Sequence, residues 1–114
     1  MYAGGVDAIE VLSLALTLPE AEEYEHGGLP AFRVRGKRFA TMLGDRTINL
    51  MLGEAGIHEA VAAWPEHCSE QWYAGRLSSA RVDFTTIEPE LMRELVTDAY
   101  LARAPASLRH QVGG

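Results

Sequence analysis

The segment from Ala31 to Leu52 constrains the fold most, because its apolar and polar residues alternate with a period of two. Phe32 and Val34 alternate with arginines, which is the pattern of a half-buried β-strand. Gly36-Lys37 and Gly44-Asp45 can each form a two-residue hairpin turn, and glycine at the first position suits a type II′ turn. The segment therefore predicts a three-stranded antiparallel meander.

The two turns also predict a register in which each strand directs its apolar side chains to one face of the sheet. Val34 is expected opposite Phe39, and Thr41 opposite Ile48, whereas a three-residue second loop would break this parity. The predicted core face contains Phe32, Val34, Phe39, Leu43, Ile48, Leu50 and Leu52. The predicted open face contains Arg33, Arg35, Arg38, Ala40, Met42, Asn49 and Met51.

Helical and strand-like periodicities predict the elements on either side of the meander. Asp7, followed by Glu10 three residues later, resembles a capping box at the start of a helix, and Pro19 ends that helix. The predicted elements are a helix over Val6–Leu18, a loop over Glu20–Pro30, a helix over Gly53–Trp64, strands over Cys68–Tyr73 and Arg81–Phe84 joined by an irregular loop at Ala74–Ser79, a helix from within Thr86–Glu90 to about Ala104, and a frayed, flexible tail over residues 106–114.

This order of elements predicts an α+β two-layer domain, with one antiparallel sheet and helices on one face. A chain of 114 residues suits a single domain, placed here at residues 1–105. No apolar stretch is long enough to span a membrane, and the first residues lack the pattern of a signal peptide. Cys68 is the only cysteine, so we expect a reducing, cytoplasmic location and no membrane partner.

The net charge of -6 conceals a very uneven distribution of charged residues. Residues 1–30 contain six acidic residues and no lysine or arginine, whereas residues 31–46 contain five basic residues and one acidic residue. The chain is therefore an acidic protein with one basic hairpin.

Signals for catalysis are weak in this sequence. There is no glycine-rich phosphate loop, dinucleotide fingerprint or nucleophile elbow. The four histidines are scattered, and none forms the i, i+4 pair that is typical of a zinc site on a helix. We therefore expect a protein that is not an enzyme and that has neither a cofactor nor a metal.

Several blocks of residues resemble the MmcQ/YjbR-like family of small bacterial domains. The blocks are Leu16-Thr17-Leu18-Pro19-Glu20, the run from Gly28 to Ala40 that includes Phe32-x-Val34-x-Gly36-Lys37-x-Phe39-Ala40, Ile48-Asn49-Leu50-Met51-Leu52, and Leu95-Val96-Thr97-Asp98-Ala99-Tyr100. The resemblance covers nearly the whole chain. It implies a fold related to that of type III secretion chaperones, and it implies DNA binding through a pair of hairpin wings.

If the resemblance extends to function, basic side chains on the two hairpins would contact phosphates. The candidates are Arg33, Arg35, Lys37 and Arg38 in the first wing and Arg76 and Arg81 in the second. The alternative is that these charges form a solvated edge that prevents aggregation of the sheet. The two interpretations differ in whether the acidic segment at Glu20–Glu25 folds against the basic hairpin, because that contact would neutralise the arginines internally.

Two further features leave alternatives open. Ala40, Met42 and Met51 on the predicted open face form an apolar patch that could bind a protein partner or a second copy in a homodimer. Trp72 and Tyr73 could stack on bases, or they could pack in the core and at its rim, since one of two adjacent strand residues must face inward. A protein-interaction module is therefore the alternative to a DNA-binding domain.

Overall fold

A six-stranded antiparallel sheet forms one layer of the structure, a computed structural model that describes residues 5–112. The elements are α1 (Ala8–Leu16), β1 (Ala21–His26), β2 (Leu29–Val34), β3 (Lys37–Met42), β4 (Thr47–Leu50), α2 (Gly53–Ala63), β5 (Cys68–Tyr73), β6 (Arg76–Asp83), α3 (Pro89–Arg103) and α4 (Ala106–Arg109). The strand order across the sheet is β1-β2-β3-β4-β6-β5. The predicted α+β class with one antiparallel sheet is confirmed.

The core lies between one face of this sheet and the helices, as the predicted two-layer arrangement requires. Tyr100 of α3 packs edge-on against Phe39 at a ring-centroid distance of 5.6 Å, and its hydroxyl donates a 2.7 Å hydrogen bond to the Pro19 carbonyl oxygen. The capping box predicted for α1 is confirmed, since the Glu10 backbone N–H donates to the Asp7 carboxylate at 2.8 Å. Helix α3 is likewise close to its predicted bounds.

The segment Glu20–Pro30 is not the predicted loop. Residues 21–26 form the edge strand β1, which pairs with β2 through a turn at Gly27-Gly28, where both glycines have positive φ. The strand was missed because its residues are mostly polar and exposed on both faces, so they show no alternation of apolar residues. Its place in the sheet comes instead from pairing with β2.

The predicted register of β2 and β3 is wrong. The hairpin turn is Arg35-Gly36, with φ of +50° and +80°, the positive values that type I′ requires. Val34 therefore lies opposite Lys37, and one extra residue at Phe39 then shifts the ladder so that Phe32 pairs with Ala40. This bulge lets Phe39 keep its predicted place in the core.

The loop between β3 and β4 contains three residues, Gly44 to Arg46, and breaks the parity of a two-residue turn. The Leu43 backbone N–H donates to the Thr47 carbonyl oxygen across this loop at 3.0 Å. As a result Ala40 and Met42 lie in the core, whereas Leu43 lies on the open face. The prediction that Ala40 and Met42 are exposed at a protein interface is therefore wrong.

The region from Ala74 onwards is more ordered than predicted. Ala74-Gly75 alone forms the turn between β5 and β6, so Arg76 to Ser79 belong to a strand and not to an irregular loop. The predicted frayed tail contains α4, and Leu108 of this helix is buried against the core. Residues 113–114 of that tail lie outside the described residues.

Candidate functional site

Two hairpins extend beyond the short central strand β4. Residues 37–39 of β3 and residues 76–79 of β6 lie past the last paired residue of β4, Leu50. At about 3.3 Å per strand residue, each hairpin projects by about 10 Å or more. We call β2 and β3 wing 1, and β5 and β6 wing 2, and both turn at the same end of the sheet.

A groove of about 1000 Å³ follows the open face of the sheet and continues between the wings. Its floor carries polar side chains from the central strands, namely Thr41, Asn49 and Ser79. Met51, which is 7% exposed, also lines this groove, as do the C-terminal residues of α3. The amides and hydroxyls of the floor can both donate and accept hydrogen bonds.

The lining of the groove is cationic although the protein is acidic. Arg38, Arg76, Arg81 and Arg103 line it together with His26, and none of the described lining residues is Asp or Glu. None of these four arginines forms an ion pair within residues 5–112. Because no carboxylate is among the described lining residues, the groove concentrates positive potential and favours an anionic ligand.

Arg81 is held in the middle of the floor by its neighbour on β4. Asn49 lies directly opposite Arg81 in the ladder, and the Arg81 Nε–H donates to Asn49 Oδ1 at 3.1 Å. The guanidinium has five N–H donors, and this bond uses one of them. The remaining donors are therefore available to a ligand in the groove.

Arg38 approaches His26 across the open face of wing 1. Arg38 Nη1 lies 2.5 Å from His26 Nε2. An arginine can only donate, so His26 Nε2 is the acceptor in this contact. The Arg38 Nε–H is buried and has no hydrogen-bond partner among the described residues. The arginine thus carries an unsatisfied donor on the wall of the groove.

Arg33 and Arg35, by contrast, are neutralised by the acidic segment. The Arg33 Nε–H donates to Glu22 at 3.1 Å, and its guanidinium lies 4.4 Å from the centre of the Tyr24 ring. Arg35 forms a bidentate pair with Glu20, at 2.5 and 3.0 Å. The hydrogen bond from Arg35 lowers the pKa of the Glu20 carboxyl. The acidic segment therefore folds against the basic hairpin.

The structure divides the six candidate phosphate contacts into three groups. Arg38, Arg76 and Arg81 line the groove, Arg33 and Arg35 are paired, and Lys37 is exposed beside the turn of wing 1. Sequence reasoning missed Arg103, which reaches the groove from the last turn of α3. No local pattern marks Arg103, because only the packing of α3 on the sheet brings it to the groove.

The aromatic residues of wing 2 are exposed at the rim of the groove. Trp72 is 60% exposed and Tyr73 is 78% exposed, so the prediction that one of them packs inward is wrong. The Trp72 indole N–H donates to Glu70 Oε1 at 3.2 Å, which fixes the orientation of the ring. Both rings are thus available to a ligand.

Three other features bear on function, namely possible metal clusters, the free cysteine and possible membrane-spanning helices. No cluster of three or more His, Cys, Asp or Glu that could hold a metal occurs in residues 5–112. Burial raises the pKa of the Cys68 thiol to about 11, which makes it a poor nucleophile. No helix in the described part of the chain is long and apolar enough to cross a membrane.

Comparisons with known proteins identify relatives of this fold. The YjbR family model matches residues 16–102. No curated protein is significantly similar to the sequence. The crystal structure of the Deinococcus radiodurans protein DR2400, which has a DUF419 domain, superposes with a TM-score of 0.72. The two chains are 17% identical, and the match covers 98% of this chain and 92% of that one.

Proposed function

This chain belongs to the YjbR family, and from that premise we propose that it is a non-catalytic DNA-binding domain whose ligand lies in the groove between the two wings. The observation that carries the proposal is the set of four arginines in this groove, in a protein of net charge -6, without a carboxylate among the described lining residues. Guanidinium groups bind phosphate oxygens with charge-assisted, often bidentate hydrogen bonds.

The division into paired and unpaired arginines supports a DNA site in the groove and not on the outer edge of wing 1. Arg33 and Arg35 are already paired with Glu22 and Glu20, so a phosphate would have to displace a carboxylate to reach them. Among residues 5–112, Arg76 meets no such competitor, and the side chain of Arg81 is bonded only to a neutral amide. When an unpaired arginine binds a DNA phosphate, condensed counterions are released and no ion pair within the protein has to be broken.

The chemistry of the groove supports binding and not catalysis. Its charged groups are arginines, a residue type that rarely acts as a general acid or base. His26 also lines the groove, and its Nε2 contacts Arg38. The groove thus presents fixed positive charge and neutral hydrogen-bonding groups.

Salt-titrated binding of fluorescent oligonucleotides tests the proposal. If all four arginines contact phosphates, the slope of log K against log salt is about -2.8 for a single strand and about -3.6 for a duplex. Replacing Arg38 and Arg76 together by glutamine should bring the single-strand slope to about -1.4. Arg93→Gln is the matched control, because Arg93 carries the same charge on α3 and does not line the groove.

Two results would contradict the proposal. One is the absence of detectable binding to any oligonucleotide at low salt. The other is an equal loss of affinity in Arg76→Gln and in Arg93→Gln, since equal losses would mean that overall charge, and not the groove, governs binding.

A further inference from the structure

The two exposed aromatic residues of wing 2 need an explanation that phosphate contacts do not provide. Trp72 and Tyr73 are the last residues of β5 and lie at the rim of the groove. They expose 60% and 78% of their surface, although they follow each other on a strand and point to opposite faces. The tip of wing 2 therefore presents an aromatic ring on each side.

Cationic and aromatic side chains are neighbours at this tip. Arg76 lies directly opposite Tyr73 in the β5–β6 ladder, and Trp72 lies opposite Leu77. Arg81 follows further along the same strand, on the floor of the groove. A positively charged groove with aromatic rings beside it is the arrangement with which proteins bind single-stranded nucleic acids, since cations track the backbone while the rings stack on bases.

The geometry favours unpaired bases over a duplex. In a duplex the bases are stacked on one another, so exposed rings such as Trp72 find no free base face to stack on. The floor adds amide and hydroxyl groups of Asn49, Gln71 and Ser79, which can bond to base edges only where those edges are not occupied by pairing. A duplex would meet the arginines but would leave these other groups unused.

We infer that the groove selects single-stranded DNA that passes over the tip of wing 2, with bases stacked on Tyr73 on one side and on Trp72 on the other, and with phosphates bound by Arg76 and Arg81. The inference rests on the proposed DNA-binding function and specifies its ligand class. It also assigns base stacking to the aromatic residues and phosphate binding to the arginines. Aromatic variants should lower affinity without changing the salt slope, whereas arginine variants should change the slope.

The experiment compares a 12-nucleotide oligo(dT) with a 12-base-pair duplex at one salt concentration. We expect the single strand to bind at least about tenfold more tightly, since each stacked base contributes a factor of about five or more. Trp72→Ala and Tyr73→Ala should each weaken oligo(dT) binding at least about fivefold, and Trp72→Phe should restore most of it. Both side chains are exposed, so these variants keep the core intact.

Trp64→Leu is the matched control, because Trp64 is also exposed but lies on the helical side, away from the groove. In that background the fluorescence of Trp72 alone should be quenched by oligo(dT). Equal affinity for the duplex, or unchanged affinity in both aromatic variants, would overturn the inference while leaving DNA binding in place. Binding to neither oligonucleotide would overturn the proposed function together with the inference.

Discussion

Replacing Met42 by alanine should destabilise the protein far more than replacing its neighbour Leu43. Met42 is 4% exposed and lies in the core, so Met42→Ala removes buried methylene groups and leaves a cavity. Such a change costs about 2–5 kcal/mol. Leu43 lines the open groove, where water can replace the lost side chain, and Leu43→Ala should cost about 1 kcal/mol or less.

Urea unfolding followed by circular dichroism measures both free energies. With an m-value of about 2 kcal/mol per molar urea, Met42→Ala should lower the midpoint by about 1–2.5 M, against about 0.5 M or less for Leu43→Ala. Thermal melts should agree, at about 4 °C for each kcal/mol in a domain of this size. Similar m-values in both variants would show that each unfolds from the same compact state.

The opposite order of the two stability losses would refute this reasoning, because the alternative register exchanges the two faces of the sheet. With a two-residue turn at Gly44-Asp45, Leu43 would lie in the core and Met42 would lie on the open face. A larger loss of stability in Leu43→Ala than in Met42→Ala would therefore refute the three-residue loop. It would also refute the groove, because the side chains that line its floor depend on this parity.

Two further predictions concern buried groups. Tyr100→Phe should cost about 1–2 kcal/mol in urea unfolding, because it leaves the Pro19 carbonyl without its 2.7 Å hydrogen bond, and an unchanged midpoint would contradict this contact. The Cys68 thiol, whose pKa burial raises to about 11, should react with a disulfide reagent at pH 8 much more slowly in the folded protein than in urea. Because its pKa is higher in the folded state, Cys68 should also make the free energy of unfolding fall as the pH rises from about 8.5 towards 11. A Cys68→Ala variant with the same fall over this range would contradict that assignment.

Helices α1, α2 and α3 were predictable because their signals are local. The capping box at Asp7 and the proline at position 19 bound α1 within a few residues, whatever the rest of the chain does. The register of the meander was not predictable in this way. Gly36 serves the observed Arg35-Gly36 turn as well as the Gly36-Lys37 turn, and the bulge at Phe39 compensates for the difference. Competing registers of this kind are distinguished only by packing of the whole sheet.

Strand β1 shows a second limit of local reasoning. Two of its six residues are partly buried and four are exposed, and none is a core residue, so no hydrophobic pattern marks it. Its ion pairs join residues that are far apart in the sequence, since Glu22 and the preceding Glu20 bind Arg33 and Arg35, 11 and 15 residues further along the chain. The distribution of charge along the sequence identified the acidic segment and the basic hairpin, but it could not show that the two pair.

The same pairing determines which arginines can bind a ligand. With 16 acidic and ten basic residues, the chain has enough carboxylates for every cation. Glu20 and Glu22 form ion pairs with Arg35 and Arg33, two of the arginines that were predicted to contact phosphates. The four arginines of the groove come from three separate elements and, within the described residues, converge without a carboxylate. Like charges that converge in this way repel one another, and a bound polyanion would relieve that repulsion. The position of the unpaired cations, and not their number, therefore points to the site.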